Sequence, residues 1–299
     1  MRPRDVFDII LLGSMWGASF LFMRMSSTEF GPFPIAAIRV TVAAITLTPL
    51  FLMTTSVREL RGRMGIFLAI SLINTTIPFV LLAYATQHIT SGFAAILNST
   101  APMWGAVISY VWLRESLNGI RILGLLVGSA GVFVFVWGRT TFDPAHSSFA
   151  IAAVLCSTFL YGFGANFSRR YLTGIHPMAA ASGSIAVSAL MLAPLALFSW
   201  PDHPVSQRAW ISVIALGMVC TGVPYVLYFR LIRSVGPVRT VSVTFLVPLF
   251  AVIWGALLLG EKLTISMGVG GLIILLGTGL ATGLIRPPIR NNDRAVPNN

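Results

Sequence analysis

Charge is scarce in this 299-residue sequence: 10% of its residues are Asp, Glu, Lys or Arg, against 56% hydrophobic ones, and the mean hydropathy is +0.85. A water-soluble domain carries roughly 25% charged residues, so this chain has too little polar surface to cover a globule in water, and most soluble-enzyme readings fall away. Cysteine is scarcer still. Cys156 and Cys220 both lie in apolar segments, where a free thiol behaves as a small hydrophobe, which argues against a disulfide framework. Only nine Asp and Glu are present, and none falls in the interior of an apolar run. That pattern disfavours the buried carboxylate relay that proton-coupled pumps usually need. The sequence contains no H-E-x-x-H, no G-x-S-x-G, no P-loop and no paired-Asp motif, so neither an enzyme nor a metal or cofactor site is expected.

Long hydrophobic runs are what the sequence has instead. Reading apolar windows between charged or Gly/Pro punctuation predicts ten spans near residues 6–24, 34–53, 64–87, 92–113, 119–137, 149–169, 177–199, 209–232, 237–259 and 264–285. Each has about the 20 residues that a membrane-crossing helix requires. The first run follows Met1-Arg2-Pro3-Arg4-Asp5 without a small-residue cleavage pattern and is expected to be a span, not a removable signal. The formal charge of +11 would suggest nucleic acid in a soluble protein, but here the basic residues report topology, and no nucleic-acid partner is expected. With the N-terminus in the cytoplasm, fifteen of the twenty basic residues fall on the inner side, and only Arg24, Arg39, Arg139, Arg208 and Lys262 on the outer. Both termini are therefore expected to be cytoplasmic. The polar, Pro/Asn-rich segment 287–299 reads as a disordered cytoplasmic tail.

The chain also repeats itself. A shift of 146 residues lays Pro78 on Pro224, Pro102 on Pro248, Glu115 on Glu261, Gly124 on Gly270 and Gly131 on Gly277. A shift of 145 lays Trp16-Gly17 on Tyr161-Gly162, Phe22 on Phe167 and Arg24 on Arg169. Each half holds five spans, an odd number, so the second half must enter the membrane in the opposite sense. Two such antiparallel halves can rock about a central site, as in many secondary transporters.

The polar residues within the spans mark candidate site positions. Pro78, Pro102, Pro224 and Pro248 each remove a backbone donor, and the carbonyls four residues earlier belong to Asn74, Asn98, Cys220 and Thr244. Trp16 and Tyr161 are repeat mates at mid-membrane, away from the interfaces where such rings concentrate, with Ser19 and Thr158 one turn away. Tyr225 and Tyr228 share a helical face with Thr221. These groups either line a polar cavity at the repeat interface or hydrogen-bond and pack helices together. Arg39, one turn inside the second span, either snorkels outward or binds a substrate carboxylate or phosphate. Glu115 and Glu261 are expected to cap helices or to pair with Arg114, Arg121 or Lys262 at opposite surfaces. Gly124 and Gly128 form a GxxxG, and with the glycine-rich tenth span they predict close packing, between these two helices or with a second copy.

Taken together, Pro102 to Glu115 with Gly124 to Gly131, and Leu259-Gly260-Glu261-Lys262-Leu263 with Gly270 to Gly277, resemble the drug/metabolite transporter superfamily and, within it, EamA-type bacterial exporters. Trp16-Gly17 with Ser19-Phe20, and Arg39, fit as well. The resemblance implies an all-α integral membrane protein of ten transmembrane helices in two inverted five-helix repeats, residues 1–140 and 145–286, around a central cavity. It implies that helices one, three, four, six, eight and nine form this cavity, with five and ten peripheral. The expected function is alternating-access export of a small organic solute across the inner membrane, an amino acid or related metabolite. A multidrug efflux protein and, less readily, a passive channel are the alternatives. The substrate-binding candidates are Trp16, Ser19, Arg39, Asn74, Asn98, Tyr161, Tyr225, Tyr228 and Thr244. One departure from symmetry stands out: Arg114-Glu115 in the first half faces Gly260-Glu261 in the second.

Overall fold

In the computed structural model, residues 2–54, 62–137, 144–236, 240 and 242–284 are described. The tail 287–299 lies outside them, as do Arg58, Arg61, Arg139, Arg239 and Arg286, five of the twenty basic residues counted for topology. The described residues form α1 (Pro3–Ser27), α2 (Pro32–Thr54), α3 (Met64–His88), α4 (Ser91–Asn98), α5 (Ala101–Leu113), α6 (Gly119–Trp137), α7 (Pro144–Tyr171), α8 (Pro177–Phe198), α9 (Gln207–Val235), α10 (Leu246–Leu259) and α11 (Ile265–Thr282). Seven helices among these are long and apolar enough to cross a membrane, with shorter apolar helices at Gly119–Phe135 and Val243–Leu259. This is a multi-pass membrane protein.

Proline shapes four of these elements. The expected fourth span is not one helix: α4 ends at Asn98, Ser99 and Thr100 make a turn, and α5 begins with Pro102 in its first turn. At that position the missing N–H costs nothing, because the first-turn donors of a helix are unpaired in any case. The corresponding place in the second half is a short 3-10 turn, Ser242–Phe245, before α10 and its Pro248. In α3 and α9 the chain widens instead of kinking sharply. Leu72–Thr76 and Met218–Gly222 are single π-helical turns, with Ile77 N–H bonded to Leu72 O and Val223 N–H to Met218 O, just before Pro78 and Pro224. Such widening re-satisfies backbone groups that a proline would strand in hydrocarbon.

Glycine sets the closest helix crossings. At Gly17 a Cβ would stand 2.7 Å from Phe250 Cβ and 2.9 Å from Ala251 N, so α1 rides directly on α10. At its mate Gly162 a Cβ would stand 2.6 Å from Gly105 N, so α7 rides on α5. Gly105 and Ala251 are themselves 146 residues apart: the first helix of each half crosses the proline helix of the other at the same place. The GxxxG face of α6 is buried against α11 of the same chain, Gly124 on Leu280 and Ala281, Gly128 beside Gly277, and Gly131 on Ile273 and Ile274.

Polar contacts sort the helix ends into two rims. Asp8 pairs with Arg230, Glu115 with Arg169, and Arg63 Nη1 reaches Thr173 O at 3.5 Å on one rim. On the other, Arg24 Nη1 donates to Thr86 O (2.6 Å) and Gln87 O (2.8 Å), Ser206 donates to Glu29, and Ser91 and Gly92 donate to Glu261. Glu115 therefore pairs with Arg169, not with its neighbours Arg114 or Arg121 as the sequence suggested. Glu261 does cap a helix, but that of the other half. Four of the carboxylates, Asp8, Glu29, Glu115 and Glu261, each bond from one half to the other, two at each rim.

Candidate functional site

Between the halves lies a cavity of about 420 Å³. All nine residues expected from the sequence line it: Trp16, Ser19, Arg39, Asn74, Asn98, Tyr161, Tyr225, Tyr228 and Thr244. The lining follows the internal repeat. Asn74 and Cys220, Phe79 and Tyr225, Leu82 and Tyr228, Asn98 and Thr244, Ala101 and Val247, and Pro102 and Pro248 are pairs 146 residues apart, and both members of each face the same space. Trp16 and Tyr161 add a seventh pair at 145.

Arg39 breaks this symmetry. It does not snorkel: only 7% of its surface is exposed, and it turns inward from α2. Its Nε donates to Thr221 Oγ1 at 3.0 Å, Nη1 faces Met23 Sδ at 3.8 Å, and the guanidinium carbon sits 3.6 Å from the Phe79 ring centroid. Thr221 can accept that bond because its own hydroxyl donates to Leu216 O, five residues back across the π turn, at 2.9 Å. No carboxylate among the described residues pairs with Arg39. A guanidinium carries five N–H donors in a fixed fork, so most of this one's hydrogen-bonding capacity remains to be used at the cavity wall.

Across the cavity the buried Oδ1 of Asn98 accepts no hydrogen bond from the described residues. An unpaired buried acceptor costs about 1–3 kcal/mol, so its retention points to an occasional partner. Ser19 donates inward to Trp16 O at 2.6 Å and contributes mainly an oxygen lone pair. The Trp16 and Tyr228 rings stand 5.6 Å apart and form an aromatic wall. The sequence reading did not single out Phe79, Met23 or Cys220 as site residues. Phe79 was within reach of it, because its repeat mate is Tyr225.

Exposure of the lining residues falls in one direction along α1, α3, α4–α5, α9 and the turn into α10. Trp16, Asn74, Pro102, Tyr225, Tyr228 and Thr244 are half-buried, while Met23, Leu82, Ala95, Cys220, Thr221 and Val247, nearer the Glu29 and Glu261 rim on the same or the adjoining elements, are buried. The cavity thus opens toward the rim of Asp8–Arg230 and Glu115–Arg169 and is closed toward that of Glu29 and Glu261, with Arg39 near its closed end.

Among known proteins, the profile of the EamA-like transporter family matches residues 6–137 and again 148–283. An uncharacterized transporter of Bacillus subtilis, YoaV, is 24% identical, over 92% of this chain and 95% of its own. A probable terminal-alkyne amino-acid exporter of Streptantibioticus cattleyicolor is 23% identical, over 93% of each. An S-adenosylmethionine/S-adenosylhomocysteine transporter of Chlamydia muridarum is 25% identical, over 88% of this chain and 86% of that one. A solved crystal structure superposes with a TM-score of 0.67 at 17% identity, covering 95% of this chain and 98% of the other, which is a likeness of fold.

Proposed function

The chain belongs to the EamA-like transporter family, and on that premise we propose that it exports a small organic solute bearing a carboxylate, an amino acid or related metabolite, across the bacterial inner membrane by alternating access. In this reading the spans form ten helices in two inverted five-helix repeats, with both termini cytoplasmic. The observation that carries it is the cavity itself. Seven pairs of repeat mates converge on one space, and among them projects a buried arginine with no carboxylate partner among the described residues. Such a wall suits a ligand that brings its own anionic group to Arg39 and an apolar body to the rings of Trp16, Tyr225 and Tyr228. With the basic rim inside, the open mouth faces the cytoplasm, where an exporter loads. Release on the far side then requires the bonds of Glu261 to Ser91 and of Glu29 to Ser206 to open while the other rim closes.

The amino-acid exporter and the S-adenosylmethionine/S-adenosylhomocysteine transporter among its relatives are consistent with this class of cargo. The aromatic wall also favours a second reading, efflux of apolar toxic compounds, but a buried arginine repels the lipophilic cations common among them. Purified protein in proteoliposomes, offered amino acids and lipophilic cations with and without a pH gradient, tests the choice. Saturable uptake and counterflow of amino acids are expected. Preference for the cations would favour multidrug efflux, and flux without saturation or counterflow would mean a channel.

A further inference from the structure

A second cavity, of about 370 Å³, lies apart from the first at the rim where α5 and α7 end, lined by Trp112, Leu113, Arg114, Glu115, Arg169 and Arg170. Arg114 has φ 55° and ψ 30°, and it is the only residue other than glycine with positive φ among the described residues. Its repeat mate is Gly260, at φ 63° and ψ 27°. Both end their helices in the same way: Glu115 N–H bonds Ser109 O at 3.3 Å, and Glu261 N–H bonds Gly255 O at 3.1 Å. A left-handed turn of this kind favours glycine because any Cβ is strained there, and the second half carries glycine. The first half holds an arginine in the same turn. Strain of this sort persists where the side chain has a use that the turn itself does not require.

The surroundings indicate that use. Glu115 is already engaged by Arg169 and by Ser109 Oγ, and no carboxylate among the described residues pairs with Arg114 or Arg170. Arg170 lies 5.2 Å over the Trp112 ring and 5.5 Å over that of Tyr171, so its planar face is held while its N–H edges make no hydrogen bond to the described residues. Trp112 in turn stacks on Phe163 at 5.1 Å with an interplanar angle of 6°. Beside this cluster Tyr110 and Val111 are 53% and 71% exposed on the outer face of α5. Unpaired guanidinium forks above an aromatic belt and an open apolar strip match the layers of a phospholipid: phosphate, interface, acyl chain.

We infer that this cavity binds the headgroup phosphate of an anionic phospholipid, with Arg114 and Arg170 donating to its oxygens and the acyl chains lying along Tyr110 and Val111. The inference rests on membrane embedding alone and is independent of the transported solute. The test is the thermal-unfolding midpoint of the full chain in detergent, titrated with phosphatidylglycerol, phosphatidylcholine or inorganic phosphate. Phosphatidylglycerol is expected to raise the midpoint saturably, and the other two to leave it nearly unchanged. Arg114→Gly is expected to match or exceed the wild-type midpoint without lipid, since it removes the strained side chain, yet to lose more than half of the phosphatidylglycerol shift. Arg170→Gln should lose a comparable share of the shift without the gain at baseline. A full phosphatidylglycerol shift in both variants overturns the site. An equal shift with inorganic phosphate alone assigns it to a soluble anion, and an equal shift with phosphatidylcholine reduces it to general lipid solvation; either overturns the inference.

Discussion

Arg39 and Phe79 meet with the guanidinium carbon 3.6 Å from the ring centroid, a contact between the second and third helices of the first half. A desolvated cation–π contact of this kind is worth about 2 kcal/mol or more, which is small beside the penalty for burying a charge without an anion. The rings of the cavity hold the arginine in place, and they leave its charge to be answered by what enters.

Replacing Arg39 by Gln should therefore weaken recognition of carboxylate solutes. A hydrogen bond to a charged group is worth about 1.5–3 kcal/mol, so KM for proteoliposome uptake should rise roughly ten- to a hundredfold. The unloaded variant should be no less heat-stable than the parent, because an unneutralised buried charge has been removed. An unchanged KM would show that Arg39 does not face the solute.

Trp16→Ala and Asn98→Ala should each lower transport while the protein still inserts and unfolds cooperatively, since each removes a cavity partner and leaves the helix intact. Initial uptake rates normalised to membrane-inserted protein provide the check. If both variants transport normally while Arg39→Ala abolishes uptake of a phosphorylated or dicarboxylic solute, the cargo is a stronger anion and the amino-acid reading is wrong.

Glu115→Gln and Glu261→Gln should reduce stability or expression more than the turnover of protein that still folds, because these carboxylates tie the halves together. Hydrogen bonds from Arg169 and Ser109 hold the Glu115 carboxyl below the usual carboxylate range. A depressed pKa means that its contribution is present at neutral pH and is lost as the pH falls through the lowered value. Wild type should thus lose more stability on acidification than Glu115→Gln does. Specific loss of proton-driven transport in either variant, with normal insertion, would instead make that glutamate a proton carrier.

Topology can be read by labelling in a cysteine-free background. Asp202→Cys, between α8 and α9, and cysteines placed across 139–148 should react with an impermeant maleimide in intact cells, whereas Thr173→Cys should react only after permeabilisation. The reverse pattern would invert the orientation and direct the open cavity outward.

The α6–α11 seam has no room for a side chain at Gly124, where an added Cβ would stand 2.3 Å from Ala281 N and 2.7 Å from Leu280 C. Gly124→Val should destabilise the monomer by about 1–3 kcal/mol, the usual cost of overpacking, seen as a lower unfolding midpoint. A variant of full stability with an altered oligomeric state would place the GxxxG at a subunit contact.

Hydropathy and the placement of proline and glycine are local properties, and they were enough to point to a membrane protein, its apolar helices, its internal repeat and nine of the residues that line the cavity. A polar group at bilayer depth beside a proline has few places to go, which is why Asn74, Asn98 and Thr244 could be named from the sequence. Partner choice is not local. Arg39 could as well have reached for the surface; it turned inward because the π turn of α9 presents the Thr221 oxygen and Phe79 offers a ring face. Glu115 stood next to Arg114 in the sequence, yet it pairs with Arg169, which arrives from α7, the helix that crosses α5 where Gly162 meets Gly105. Glu261 reached Ser91, 170 residues away, and Gly124 and Gly128 met α11 of their own chain. Each of these pairings depends on how closely two helix backbones approach and at what angle, and that is decided by the packing of whole helices.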